Sequence, residues 1–291
     1  MKINVISANY DGGQGKEGAR RGPSLILSTK LETDLNVSNQ LVHHTVEIDR
    51  PQEPESTLRN PTWTGETCKE LYQVSKECDG FVLMLGGDHS LAMGSVMAQL
   101  EKFSDLVVVW VDAHADINTP MTTNSGNIHG CPVAFLMGLS ETRQIPSYEW
   151  MTDKLKPSNI IYIGLRDVEP EEQLLLKTHN IKYYTMDEVD AKGVSKICSE
   201  IKEMFPKNPV HISFDIDSLD PIHAPSTGTP VTGGLTLREG RQICKEFSSR
   251  LVSFDLVEVN PWIGSKKDVE TTAQSANLII RSAFDHHYVE K

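Results

Sequence analysis

Apolar residues along this chain gather in short blocks of strand length, and between the blocks they recur at helical spacing. Phe81 to Leu85 and Val107 to Val111 are unbroken apolar runs, the pattern of strands buried on both faces. The same reading predicts further strands at 3–8, 41–48, 160–165, 182–186, 210–215 and 251–257. Helices are predicted at 24–31, 66–76, 90–103, 170–179, 192–205, 236–250 and 268–284. Eight strands alternating with helices argue for an α/β fold, a parallel sheet covered on both faces. With no linker and no internal repeat, the expectation is one domain over 1–291. Two loops break the rhythm. Asp11 to Pro23 is glycine-rich and basic but lacks the spacing of a phosphate cradle. Asn118 to Gly130 is too polar for the core and too long for a plain connector, and such loops usually carry function.

Charge narrows the partners. Of 291 residues, 28 are Lys or Arg against 40 Asp or Glu, a net −12, which argues against nucleic acid and acidic membrane surfaces and favours a small cationic substrate. No apolar run approaches the roughly 20 residues needed to cross a bilayer. Met1-Lys2 leads directly into the first strand, so no signal peptide is expected. Cys68, Cys78, Cys131, Cys198 and Cys244 are odd in number and never spaced C-x-x-C, which implies neither a disulfide framework nor a zinc ribbon. A cytoplasmic protein is expected. Cys131 is assigned no role.

The chemistry sits at the ends of three apolar runs. Val107 to Val111 is followed by Asp112-Ala113-His114-Ala115-Asp116; Val210 to Phe214 by Asp215-Ile216-Asp217; Phe81 to Leu85 by Gly86-Gly87-Asp88-His89-Ser90. If the extended backbone persists, period-two alternation aims Asp112, His114 and Asp116 the same way, and Asp215 with Asp217 likewise. One such acid could merely cap a helix. Three strands ending in Asp and His, beyond the carboxyl edge of one sheet, read instead as a metal site. Its oxygen-rich ligand set, without thiolate, suits a harder divalent ion such as manganese. Six ligands suffice for two ions about 3.5 to 4 Å apart, with hydrolysis as the leading reaction class.

These motifs resemble the three signatures of the ureohydrolases, the binuclear manganese enzymes that hydrolyse guanidinium groups, and within that family the arginases. Asp116-Ile117-Asn118-Thr119-Pro120, Ser125-Gly126-Asn127-Ile128-His129-Gly130, Gly164-Leu165-Arg166-Asp167-Val168, Thr227-Gly228-Thr229-Pro230 and Glu258-Val259-Asn260-Pro261 extend the resemblance over nearly the whole chain. It implies a three-layer α/β/α sandwich on an eight-stranded, mostly parallel sheet. It implies two Mn²⁺ per subunit, one held by His89, Asp112, Asp116 and Asp215, the other by Asp112, His114, Asp215 and Asp217. By the same resemblance His129, Glu258 and Asp116 form the catalytic set, with His129 as acid/base and Glu258 gripping the guanidinium. Asn118 and Ser125 would bind the substrate α-carboxylate, Glu169 the α-ammonium, and Thr229 would lie beside the guanidinium. Asp88 and Asp220 would orient neighbours rather than bind metal.

The implied reaction is hydrolysis of L-arginine to L-ornithine and urea. Another amidinohydrolase, of agmatinase, guanidinobutyrase or formimidoylglutamase type, is the alternative, and a silent metal-binding regulatory subunit a more distant one. Two departures stand out. Glu169 occupies a position where animal arginases have Asp, and the chain stops at Lys291, without their long tail. A homo-oligomer, trimer or hexamer, is expected from the family's habit.

Overall fold

The structure is a computed structural model that describes residues 1–36, 39–140, 142–152 and 154–284. Among the described residues there are eight strands: β1 Lys2–Ala8, β2 Gln40–Val46, β3 Phe81–Leu85, β4 Val107–Val111, β5 Ile160–Leu165, β6 Lys182–Thr185, β7 Val210–Asp215 and β8 Leu251–Val257. They form one sheet in the order β2-β1-β3-β8-β7-β4-β5-β6, with every pairing parallel. The expectation of a parallel sheet holds.

Its two faces sort the side chains by parity. On β4, Val107, Val109 and Val111 join one apolar cluster while Val108 and Trp110 join another. On β5, Ile161 and Ile163 lie on the first side, and Ile160 and Tyr162 on the second. The first face is covered by α1 Gly22–Ser28, α2 Leu31–Asn36, α7 Met186–Lys192, α8 Val194–Met204, α9 Leu237–Phe247 and α10 Lys266–Ala283. Ile26, Leu35, Val189, Ile197, Ile243 and Ile279 supply those contacts. The second face is covered by α3 Pro61–Glu77, α4 Ala92–Lys102, α5 Pro132–Met137 and α6 Pro170–Thr178, through residues such as Leu71, Val96, Phe135 and Leu176. This is the three-layer α/β/α arrangement, and it explains why the central strands read as continuous apolar runs.

Two helix predictions needed correction, and one helix was missed. The expected helix at 24–31 is two helices, because Thr29 leaves the helix in an extended conformation and its hydroxyl accepts from Leu31 N. The expected helix at 192–205 begins earlier as α7 and restarts as α8. Thr185 and Glu188 form a capping box that starts α7 directly after β6, and Gly193, at φ 77°, separates the two helices. The short helix α5, closing the polar loop, was not expected at all.

Candidate active site

A cleft of about 250 Å³ lies beyond the carboxyl ends of β4, β5 and β7, and His89 after β3 and Glu258 after β8 contact its lining through Asp116 and His129. His114, Asp116, Asn118, Ser125, His129, Glu169, Asp215 and Thr229 all line it. The sequence-predicted residues therefore meet in one place, as expected at the carboxyl edge of a parallel sheet.

The means of convergence differs from the expectation. Strand geometry ends at Val111, and Asp116 has a left-handed backbone at φ 51°, so the extended chain does not carry the side chains. Hydrogen bonds do. Asp112 Oδ1 accepts from the backbone N of His114 at 2.8 Å, and Asp215 Oδ1 accepts from the backbone N of Asp217 at 2.8 Å. Each aspartate thus folds its own chain into a tight turn with one oxygen and presents the other to His89. The left-handed turn at Asp116 then brings its Oδ2 within 3.1 Å of His89 Nδ1.

His89 is the meeting point. Its Nδ1 lies 3.0 Å from Asp112 Oδ2 and 3.2 Å from Asp215 Oδ2, yet has the alignment of a hydrogen bond with none of its carboxylate neighbours. Ser213 Oγ meets the opposite ring nitrogen at 2.9 Å, and the ring stacks on Trp110 with centroids 4.1 Å apart. Trp110 in turn donates its indole N–H to Asp112 Oδ2 at 3.0 Å. Two groups have their ligand atoms mutually within 4.8 Å: His89, Asp112 and Asp215, and then Asp112, His114 and Asp217. Asp112 is common to both. His114 Nδ1 is 3.3 Å from Asp217 Oδ2, which accepts the Thr229 hydroxyl at 2.9 Å, while Asp217 Oδ1 is buried without a partner.

This donor set fits divalent cations. Burial raises the Asp215 carboxyl far above its usual range, and repulsion from Asp217 and Asp112 adds to that. Burial, with Asp112 beside it, pushes Asp116 up to about 6. Asp112 goes down despite its burial, because the imidazoles of His114 and His89 beside it favour its charged form. Four buried acids that repel one another, an imidazole nitrogen crowded by three of them, and an orphaned carboxylate oxygen all gain from positive charge placed between them.

His129 also lines the cleft, and the buried Glu258 stands beside it. Glu258 follows β8 with a left-handed backbone at φ 65°. Its Oε1 accepts from His129 Nδ1 at 3.0 Å and from the backbone N of His89 at 3.0 Å. Burial alone would lower the His129 pKa, but the Glu258 carboxylate outweighs it and pushes the imidazole up to about 9. At the outer end, Asn118 Nδ2 donates to Glu169 Oε2 at 3.2 Å and Asn118 Oδ1 accepts from Thr122. Ser125 Oγ accepts from Asn127 N, and Glu169 is the N-cap of α6. Asp88 and Asp220 orient backbone, Asp88 through Gly13 N and Ser90 N, Asp220 through Ile222, Gly233 and Gly234.

Sequence reasoning missed three contributors. Glu172, buried and pushed up to about 8 by desolvation with Asp116 nearby, accepts from Ile117 N and Glu169 N and joins the two walls of the cleft. Arg166 donates to the carbonyls of Asp217, Ser218 and Val231, pinning the loop that follows β7. Gln14 donates to Glu258 Oε2 at 2.6 Å. Arg166 lay within a quoted motif; Glu172 and Gln14 carried no local signal.

Comparison with known proteins agrees with this geometry. The arginase family model matches residues 1–285. The chain is 41% identical over 298 residues to "Arginase, non-hepatic 3" of Xenopus laevis, covering 97% of this chain and 83% of that protein. Among solved structures, an arginase from Bacillus subtilis superposes with a TM-score of 0.90 at 32% identity, covering 98% of both chains. An Entamoeba histolytica arginase in complex with L-ornithine superposes with a TM-score of 0.88 at 30% identity over 97% of both. On its motifs, its sheet and this similarity along nearly its whole length, the chain belongs to the arginase family.

Proposed function

We propose that this protein hydrolyses L-arginine to L-ornithine and urea. The observation that supports the proposal is a cleft lined by His114, Asp116, Asp215 and His129, the last paired with buried Glu258, together with Asn118, Ser125 and Glu169. His89, Asp112, Asp116 and Asp215 would hold one manganese ion, and Asp112, His114, Asp215 and Asp217 the second. When bound, the pair supplies the Lewis acidity that makes water a usable nucleophile near neutral pH.

The protein's own residues do the rest. Glu258 accepts a hydrogen bond from the substrate guanidinium and sets its carbon against the metal end, with Thr229 alongside. Asp116 takes up a proton from the attacking water. His129, held charged by Glu258, gives a proton to the departing ornithine amine, so that the C–N bond breaks with a neutral leaving group. Asn118 and Ser125 donate to the α-carboxylate, and Glu169 faces the α-ammonium one methylene further out than an aspartate would. An acidic cleft alone would favour agmatine; neutral donors for the carboxylate are what select arginine. The whole chain acts as one domain. A cytoplasmic homo-oligomer, trimer or hexamer, is the assembly we propose; five buried free thiols suit a reducing compartment.

Urea release measured across L-arginine, agmatine and guanidinobutyrate, with manganese determined per subunit, tests the reading. Arginine should be the best substrate, with agmatine at least about 10²-fold poorer in kcat/KM. Agmatine as the best substrate would overturn the specificity, and absence of urea from all three would overturn the enzyme.

A further inference from the structure

The glycine-rich loop near the amino terminus reaches into the site without touching the metal cluster. Asp11 closes it by accepting from Gly18 N at 2.8 Å, and Asn60 Nδ2 holds the Gly12 carbonyl at 2.7 Å. Three of its residues then meet the reaction machinery. Gly13 O accepts the backbone N–H of His129 at 3.1 Å, Lys16 Nζ donates to the Gly228 carbonyl beside Thr229, and Gln14 Nε2 donates to Glu258 Oε2. Gln14 is buried, at 5% exposure, so this contact is shielded from water.

Counting acceptors on Glu258 gives the loop its meaning. A carboxylate offers about four lone-pair positions. Oε1 uses two, for His89 N and His129 Nδ1, and Oε2 uses one for Gln14. One position on Oε2 is left for the substrate. The amide orientation of Gln14 is forced, since an ionised carboxylate can only accept and the amide donates only through its nitrogen, and its oxygen therefore turns toward Gly228. A Cβ at 228 would sit 2.8 Å from that oxygen, so the glycine makes room for the amide.

We propose that Gln14 is a positioning residue: by occupying one side of Oε2 it fixes the Glu258 carboxylate with its remaining acceptor toward the guanidinium, and so acts on that end of the substrate alone. The inference rests on the arginine reading above. It makes Gln14 a determinant of guanidinium recognition lying outside every motif by which the family resemblance is carried.

The test compares two ligands in the manganese-loaded full-length protein. L-Arginine has a guanidinium and L-ornithine does not, while both share the α-carboxylate and α-ammonium. Gln14→Met keeps the side-chain volume against Gly228 and removes the donor; Gln14→Ala removes both. Loss of a hydrogen bond to a charged group should lower kcat/KM for arginine on the order of 10-fold or more in each variant. The inhibition constant of ornithine should stay within about twofold, with manganese content unchanged. In a Glu258→Gln background, Gln14→Met should add less than about twofold, because the carboxylate it positions is gone. Arginine turnover within about threefold of wild type would overturn the proposal. So would parallel loss of arginine and ornithine binding, loss of manganese, or full additivity with Glu258→Gln, each of which marks Gln14 as general scaffold. Wild-type protein that releases no urea from arginine would instead defeat the reading of the reaction.

Discussion

Replacing Ser213 with Ala isolates how the sheet tunes the metal site, because Ser213 touches His89 and no cleft-lining carboxylate. The serine is fully buried on β7, 2.9 Å from His89 Nε2. With Nε2–H directed at Ser213, the lone pair of Nδ1 is left facing Asp112, Asp116 and Asp215. Ser213→Ala deletes that partner, while stacking on Trp110 keeps the ring in place. The proton then prefers Nδ1, among three carboxylates, and an incoming ion must displace it. Leaving a buried ring nitrogen unpaired costs about 1–3 kcal/mol. Loss of a group that orients a ligand typically lowers metal affinity about 10- to 100-fold, or about 1.4–2.7 kcal/mol, so the two routes agree. Equilibrium dialysis against graded manganese, with content by elemental analysis, reads the change. A folded variant whose manganese affinity lies within about threefold of wild type would refute the reasoning.

Other outcomes follow from the same geometry. Asp112→Ala should strip both ions, since its carboxylate belongs to both ligand groups, and Asp215→Ala should do the same; Asp217→Ala should retain about one per subunit, and equal retention by all three rejects the bridging assignment. His129→Asn should lower kcat by on the order of 10² or more at unchanged manganese content, and near-normal turnover would remove it from the proton relay. In metal-free protein the His129 imidazole is pushed up to about 9. A raised value means that its stabilising contribution is complete below the unfolded value of about 6.5 and is lost as pH rises through about 9. Thermal unfolding in chelator should show that decline, Glu258→Gln should abolish it, and an identical pH dependence in both proteins would contradict the pairing.

The sequence disclosed the parts of this molecule that local patterns encode. β3, β4 and β5 fall where apolar runs lie, because strands buried on both faces leave no charged positions to blur their limits. Helix limits were harder. The break at Gly193 and the turn at Thr29 depend on single backbone conformations that periodicity does not report. The site residues were found through their motifs, but the reason for their convergence was misread. Asp112 and Asp215 bend their own chains by side-chain hydrogen bonds, and Asp116 enters a left-handed region where a non-glycine residue is disfavoured. Gln14 could not have been found this way, since its partner lies 244 residues along the chain.

The last of the described strands along the chain, β8, occupies the middle of the sheet, between β3 and β7. A nascent chain that has not reached Leu251 can form β2-β1-β3 and β7-β4-β5-β6 only as separate part-sheets, each with a bare central edge open to pairing with other chains. His89 belongs to the first part, Asp112 to Asp116 and Asp215 to Asp217 to the second, and Glu258 arrives with β8 itself. Insertion of that strand both seals the aggregation-prone edges and closes the ligand cluster. The Asp/His cluster is therefore complete only at the final step of folding, so that a metal ion binding there would stabilise only a finished chain.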